Sequence, residues 1–338
     1  MADANQRKCG RISQKSSGER LFGFYSRRAT GGLIMYNTFV GILQASGDSQ
    51  HPLLYLIISS LTNVVLDVFF IGVLHMGVAG AALATGISQF LSMGLALHRL
   101  LKTERSIHIS LRKIRFKKDV LKEILKFGFP TALQGSIIDL SNILIQSYIN
   151  SFGSLAMAGI GAYSKEGFAF LPVSMAMSTF ISQNLGAGKL HRMKQGMCFG
   201  ILSCVAVIEC IGIIVFIFAP QFISLFNAEP EVVRIGVMRA RICALFFCLL
   251  GFSNVTNSVL RGLGKPLAPM LVMLICWCAV RVIVFMTVGK TYHVIELTAW
   301  IYPITWGMST AVYAVLLLQL SVKVLALSKQ NSPVVADE

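Results

Sequence analysis

The sequence is poor in charge, and poorest in acidic residues. Only 13% of its 338 residues are charged, and 15 Asp and Glu stand against 30 Lys and Arg. Hydrophobic residues make up 55% of the chain, and the mean hydropathy is +0.69. This composition excludes an ordinary soluble domain and predicts a polytopic membrane protein. We expect an all-α fold, because lipid offers no hydrogen-bond partner to an open strand edge.

Motifs of enzymes and metal sites are also missing. The chain has no G-x-x-x-x-G-K-[ST] loop, no H-E-x-x-H and no G-x-S-x-G, which argues against an intrinsic ATPase or a hydrolase. Its eight cysteines include no C-x-x-C pair and no Cys/His cluster at metal spacing. We therefore predict no enzyme activity and no cofactor, so that any active transport would draw on a gradient of H⁺ or Na⁺.

Nine apolar stretches are predicted to cross the membrane, most of them near the roughly 20 residues that a spanning helix needs. They are 33–46, 53–74, 77–98, 127–149, 157–181, 196–219, 236–260, 267–288 and 294–320. The basic residues lie mostly between them, which predicts orientation rather than nucleic-acid binding. Residues 102–126 hold nine Lys and Arg against three acids, so we expect this connector in the cytoplasm of a multi-pass protein of the cell membrane.

An internal repeat relates the two halves of the chain at a spacing of 217 residues. Leu43 corresponds to Leu260, Gly47 to Gly264 and Pro52 to Pro269. Repeats of this kind are typical of transporters, and sets of six helices would share one orientation, as in parallel repeats. The expected division is a basic N-terminal segment 1–30, a partial N-lobe 31–101, a basic inter-lobe loop 102–123, a C-lobe 124–320 and a cytoplasmic tail 321–338.

The repeat and the charges together predict an incomplete N-lobe. The second copy has about six helices, whereas the first has only the last three of its set. Counting spans back from the cytoplasmic connector places residues 1–30, with seven Lys and Arg, on the outer face. Either this segment does not lie next to the membrane, or an odd number of helices is missing. The repeat favours the second explanation, and three further helices before Gly31 would restore the segment to the cytoplasm.

Polar residues inside the apolar spans are the candidate site residues, because such residues are costly in a membrane. The candidates for binding substrate or ion are Asp139, Asn142, Gln146, Lys165, Glu166, Asn63, Asp67, Asn254, Asn257 and Arg281. Asp139, Asn142 and Gln146 form one helical stripe, and Asn63 and Asp67 lie one turn apart. A helix–helix hydrogen-bond seam or a structural ion pair is the open alternative for each group.

Two further ionisable residues have no evident partner in the sequence. Glu209 lies in the middle of the apolar span 196–219, and Arg281 lies in 267–288 and would need an anion or carbonyl groups. A mutual pair of the two is conceivable, although their spacing gives it no support.

Six stretches resemble the multidrug and toxic compound extrusion (MATE) family. They are Y-N-T-F-V-G-I-L-Q-A-S-G-D-S-Q-H-P at 36–52, N-V-V-L-D at 63–67, G-V-A-G-A-A-L-A-T at 77–85, G-F-A-F-L-P at 167–172, Q-N-L-G-A-G-K at 183–189 and L-R-G-L-G-K-P at 260–266. The resemblance implies two six-helix lobes around a cavity and export of amphipathic, often cationic, compounds in exchange for H⁺ or Na⁺. Asp139 lies near the acidic residue of the family's seventh helix, whereas Leu250 lies near an acidic position of the tenth.

Two other hypotheses remain open beside the exporter. A flippase for a lipid-linked oligosaccharide, from the same superfamily, would favour a basic cavity, for which Lys165 and Arg281 are the candidates. A non-transporting, truncated membrane protein would fit the incomplete N-lobe. The expected partners are a small-molecule substrate and membrane lipid, and the sequence predicts no oligomeric state.

Overall fold

The computed structural model describes residues 30–102, 115–164 and 171–330. These residues form eleven helices, and no strand occurs among them. They fall into two compact units that divide between Phe116 and Lys117. The expected all-α fold is confirmed.

The first unit contains three helices, α1 at residues 30–45, α2 at Gln50–Asp67 and α3 at Gly77–Lys102. Immediately after Asp67 the helix α2 widens into a π-helix, Val68–Val73. A small core of Leu43, Leu100 and neighbouring aromatic side chains joins α1 to α3. Most apolar side chains of α2 are exposed, as expected of a helix that faces lipid or another apolar surface.

The repeat relates the turn that follows α1 to a second turn at residues 260–265. The amide of Asp48 donates to the Leu43 carbonyl at 3.0 Å, and the amide of Lys265 donates to Leu260 at the same distance. Gly47 and Gly264 hold the left-handed position, with φ of 87° and 77°. Both turns are therefore Schellman caps, in which a glycine tolerates the positive φ. The correspondence found in the sequence thus extends to the local backbone.

Asp48 forms ion pairs with two basic side chains at the first of these turns. Its carboxylate lies 2.7 Å from Nδ1 of His51 and 3.5 Å from Nη2 of Arg99. Burial raises the pKa of Asp48, but the hydrogen bonds from His51 and the charges of His51 and Arg99 outweigh it, so its pKa lies below the usual value. The cluster ties α3 to the turn between α1 and α2.

The second unit contains eight helices. They are α4 Lys118–Asn150, α5 Ser154–Ser164, α6 Leu171–Gly186, α7 Leu190–Ser224, α8 Pro230–Ala244, α9 Phe247–Gly262, α10 Leu267–Tyr292 with two π-helical segments, and α11 Leu297–Gln330. By length and hydropathy, five of the described helices could cross a membrane, or six if the bent pair α8–α9 is one span.

Two predicted boundaries are wrong in detail. The loop predicted at 102–123 ends earlier, because α4 begins at Lys118; its first turns are charged but contain good helix formers, which a hydropathy criterion misses. The span 236–260 is two helices bent by 58°, although no Pro or Gly marks the break. The span 157–181 corresponds to α5 and α6, and residues 165–170 lie outside the described part of the chain.

Close helix contacts in the second unit rest on glycines. A Cβ at Gly159 of α5 would lie 2.7 Å from the Val232 carbonyl oxygen of α8. At Gly212 of α7 it would lie 2.6 Å from the Ala244 carbonyl oxygen. Small residues let helix backbones approach in this way where lipid supplies no hydrophobic driving force.

Candidate functional site

A cavity of about 430 Å³ lies within the second unit. Its walls come from α4, α5, α8, α9, α10 and α11, and its polar lining comprises Asn142, Gln146, Arg239 and Arg281. Aromatic rings of Phe247, Trp277, Tyr302 and Trp306 form much of the remainder. The volume falls within the roughly 300–1,000 Å³ of pockets that hold drug-sized molecules.

Arg281 is the most deeply buried charge of this cavity, with 2% of its surface exposed. It lies near the middle of α10, in the short α-helical segment between the two π-helical segments. Its Nε and Nη2 donate to the Thr305 hydroxyl at 3.1 and 3.0 Å. Its guanidinium also lies over the rings of Trp277 and Tyr302, at 5.0 and 4.3 Å.

These contacts bear on the partners of Arg281. Within the described residues its side chain contacts a hydroxyl group and two aromatic faces. It also makes no pair with Glu209, whose Oε2 accepts a hydrogen bond from the Cys248 amide at 2.7 Å. That amide belongs to the first turn of α9, so the carboxylate caps the helix that follows the break.

A second arginine, Arg239 of α8, lines the same cavity and has 4% of its surface exposed. Its guanidinium lies 4.8 Å from the centre of the Tyr302 ring. Arg239 and Arg281 therefore contact one aromatic ring, and two cations are buried at the same wall. Arg239 was not among the residues predicted from the sequence, although it is an ionisable residue within a predicted span and meets the criterion that selected Arg281.

Hydroxyl groups of α9 and α11 fix the aromatic wall. The indole N–H of Trp277 donates to Ser309 Oγ at 3.0 Å, and the hydroxyl groups of Ser309 and Ser253 are hydrogen-bonded at 2.8 Å. Trp306 packs edge-on against Phe247, with ring centres 6.2 Å apart. These contacts hold the Trp277 and Trp306 rings in position without a ligand.

The predicted polar stripe of α4 reaches this cavity in part. Asn142 and Gln146 line it, and Gln146 donates to Asn150 Oδ1 at 2.9 Å. Asp139 is exposed and is not among the lining residues. Pro130 lies inside α4 rather than at its start, so Asp139 lies about six turns from the first residue of the helix.

Asn63 and Asp67 form a separate polar position in the first unit. Asn63 Nδ2 and Asp67 Oδ1 are both buried, and neither atom has a hydrogen-bond partner among the described residues. Asp67 is the last α-helical residue before the π-helix. Local π-helical turns are frequent at functional sites, and a buried carboxylate oxygen without a donor is costly unless a proton or a cation satisfies it.

The remaining predicted site residues differ in their surroundings. Asn254 donates to the Leu250 carbonyl of its own helix at 2.9 Å, whereas Asn257 is buried and its Oδ1 has no partner in the described structure. Neither residue lines the cavity. Lys165 and Glu166 lie outside the described residues.

Comparisons with known proteins define the class and the family. The MatE family model matches residues 130–287. The probable multidrug resistance protein NorM of Thermotoga maritima is 30% identical over 285 residues, which cover 80% of this chain and 60% of that protein. The probable multidrug resistance protein YpnP of Bacillus subtilis is 29% identical over 74% of this chain and 56% of its own length.

The fold has a close counterpart among solved structures. An outward-facing structure of a multidrug resistance MATE family transporter of the MOP superfamily aligns with a TM-score of 0.79 at 21% identity, over 90% of this chain and 70% of that one. This likeness shows that the two proteins share a helical fold, and the chain is a multi-pass membrane protein.

The chain belongs to the MATE family. It spans about 60% of the length of these two relatives.

Proposed function

We propose that this chain takes part in ion-coupled export of amphipathic small molecules across the membrane. The cavity of the second unit receives the substrate, and the Asn63–Asp67 position of the first unit binds the coupling cation. Named multidrug resistance proteins among the relatives support export of small compounds. The chemistry is transport, so no covalent step on the substrate is required.

The observation that carries the proposal is the buried, unpartnered pair of polar atoms on α2. A carboxylate oxygen of Asp67 without a donor would be stabilised by a bound proton or Na⁺. The Asn63 amide lies one turn away, and a flip of the amide group exchanges the positions of its oxygen and its NH₂ group. In one orientation the oxygen can bind Na⁺, and in the other the NH₂ group can donate to the carboxylate. Both ions suit these two side chains, so the coupling ion is H⁺ or Na⁺.

A flippase for a lipid-linked oligosaccharide is the second candidate. Arg239 and Arg281 favour it, because two buried guanidiniums suit a pyrophosphate group. The volume of about 430 Å³ opposes it, since this cavity has the capacity for a drug-sized molecule and not for an oligosaccharide. We therefore prefer the exporter.

Dye accumulation in cells that lack their own efflux pumps tests the proposal. The cells would express the 338-residue chain and be loaded with ethidium or with carboxyfluorescein, two amphipathic dyes of opposite charge. We expect lower steady-state accumulation of at least one dye than in cells without the chain. Asp67→Asn should abolish the difference at equal membrane abundance, because an amide cannot exchange a proton and binds a cation poorly.

The matched control is Glu231→Gln, which removes an acid from an exposed surface ion pair with Arg234. It should leave accumulation as in the unmodified chain. Unchanged levels of both dyes, or full activity of Asp67→Asn, would refute the proposal.

A further inference from the structure

A groove of about 580 Å³ lies between the end of α7 and α8. We propose that it binds a membrane phospholipid, with the lipid phosphate held by Arg241 and the acyl chains lying on the apolar surface of α7 and α8. The inference goes beyond the proposed export, because none of the residues named for substrate or cation lines this groove.

One face of α8 forms most of the groove. Its lining residues recur three or four positions apart, as on a single helical stripe. They are Pro230, Val233, Arg234, Val237, Met238 and Arg241. Pro220 of α7 and Ala228 of the connecting loop also line the groove. Among the described residues the lining is therefore apolar apart from two arginines, and Arg241 is the one farther along α8.

Arg241 is held in place by a carbonyl group that α7 cannot satisfy. Pro220 lies inside α7, and because proline has no N–H, the carbonyl of Phe216 loses its ordinary partner four residues later. Nε of Arg241 donates to that carbonyl at 3.4 Å, and the guanidinium lies 5.6 Å from the centre of the Phe216 ring. A guanidinium has five N–H donors. The bond to Phe216 uses the one on Nε, so the two terminal nitrogens are the groups that can bind a ligand.

The length of α7 places Arg241 at one boundary of the hydrocarbon. Helix α7 carries Arg192 and Lys194 in its first turns, and its apolar span follows. Lys194 and Phe216 are roughly 33 Å apart along the helix, at about 1.5 Å per residue, which is close to the roughly 30 Å thickness of the hydrocarbon core. The Phe216 carbonyl and the guanidinium bound to it therefore lie where the lipid headgroups begin, a level that long cationic side chains prefer.

The two arginines of the groove differ in their partners. Nε and Nη2 of Arg234 donate to the two carboxylate oxygens of Glu231 at 2.9 and 2.6 Å, so a phosphate would compete with a carboxylate there. The hydrogen bond and the ring contact of Arg241 are both made with Phe216, which is neutral. Arginine binds phosphate oxygens through parallel N–H bonds. We therefore assign the phosphate to Arg241.

Apolar side chains that suit the acyl chains lie on the membrane side of Arg241. Ile213 lies one turn before Phe216 on the same face of α7, and Leu245 lies one turn after Arg241. Both are more than half exposed, at 53% and 57%. Helices α7 and α8 run antiparallel, so both positions lie nearer the membrane centre than the guanidinium. A lipid with its phosphate on Arg241 would thus keep its acyl chains in the hydrocarbon.

Native mass spectrometry of the purified full chain in a non-ionic detergent tests the inference. The probes are palmitoyl-oleoyl phosphatidylglycerol, palmitoyl-oleoyl glycerol, which lacks the phosphate, and glycerol phosphate, which lacks the acyl chains. We expect the first phospholipid to bind roughly ten-fold or more tightly than either of the other probes. Equal binding of the two lipids would overturn the inference without any variant. Glycerol phosphate that binds as tightly as the phospholipid would also overturn it, because the site would then be one for free phosphate esters.

Variants locate the effect. Arg241→Gln should weaken binding of the first phospholipid roughly ten-fold or more, while Arg241→Lys should keep the preference for the phospholipid because it keeps the charge. The control is Arg192→Gln, since Arg192 is exposed at the other end of α7 and does not line the groove; it should bind the phospholipid as the unmodified chain does. A folded Arg241→Gln protein, as judged by a single symmetric peak in size exclusion, with undiminished phospholipid binding would contradict the assignment.

Discussion

Glu209 should stabilise the broken helix pair α8–α9 by capping its second half. Its carboxylate accepts the Cys248 amide at 2.7 Å, at a break where the axis bends by 58°. Replacement by Ala leaves an amide of a helix end without an acceptor and removes a negative charge beside a helix N-terminus. A hydrogen bond to a charged group is worth about 1.5–3 kcal/mol, and the interaction of a charge with the helix dipole adds about 0.3–1 kcal/mol.

Glu209→Ala is therefore expected to lower the free energy of unfolding by about 2–4 kcal/mol. Glu209→Gln keeps a side-chain acceptor and should cost about half as much. Unfolding can be followed by circular dichroism during titration of the detergent-solubilised protein with dodecyl sulfate. The control is Glu231→Ala, because Glu231 lies on the surface in an ion pair with Arg234, where little stability is at stake.

Equal midpoints for Glu209→Ala and Glu231→Ala would refute the capping role. A Gln variant as unstable as the Ala variant would show that the charge, and not the acceptor, carries the stabilisation.

Two further predictions concern packing and pH. Gly159→Ala would place a methyl group 2.7 Å from a backbone carbonyl oxygen of α8, whereas a Cβ at Gly161, on the same helix, meets nothing within 4 Å. Dodecyl sulfate titration should therefore show a loss of about 1–3 kcal/mol in the free energy of unfolding for Gly159→Ala and no loss for Gly161→Ala. Equal effects of the two substitutions would refute the close contact. The lowered pKa of Asp48, held by His51 against burial, means that its contribution to stability is present above the ordinary value of 3.8 and is lost as the pH falls through the lowered folded value. The thermal midpoint should consequently fall more between about pH 5 and about pH 3 in the unmodified chain than in Asp48→Asn, and identical falls would contradict this.

The sequence predicted much of the fold because its strongest signals are physical requirements of the membrane. Each of the nine apolar spans is mostly helical where the structure describes it, and Gly47 and Gly264 share the turn geometry that the repeat implied. The break between α8 and α9 could not be predicted, because neither Pro nor Gly marks it and Glu209, which caps the helix after it, lies in a distant part of the chain. Hydropathy reports burial in lipid, and it carries no information on such contacts.

The candidate site was predictable only in part. Arg281, Asn142 and Gln146 were chosen as polar residues in apolar spans, and all three line the cavity. The partners of Arg281 were not predictable, since Thr305 and Tyr302 are common residues in another helix. Trp277 and Trp306 could not be distinguished in the sequence from aromatic residues that simply fill a core.

The central claim, that Asp67 couples export to a cation gradient, is tested most directly in proteoliposomes that contain the purified 338-residue chain. Movement of carboxyfluorescein or ethidium would be measured under an imposed pH or Na⁺ gradient, and again with the gradient reversed. The account predicts dye movement opposite to the cation, reversal of that movement with the gradient, and loss of both in Asp67→Asn. Dye movement that ignores both gradients, or that persists in Asp67→Asn, would contradict it.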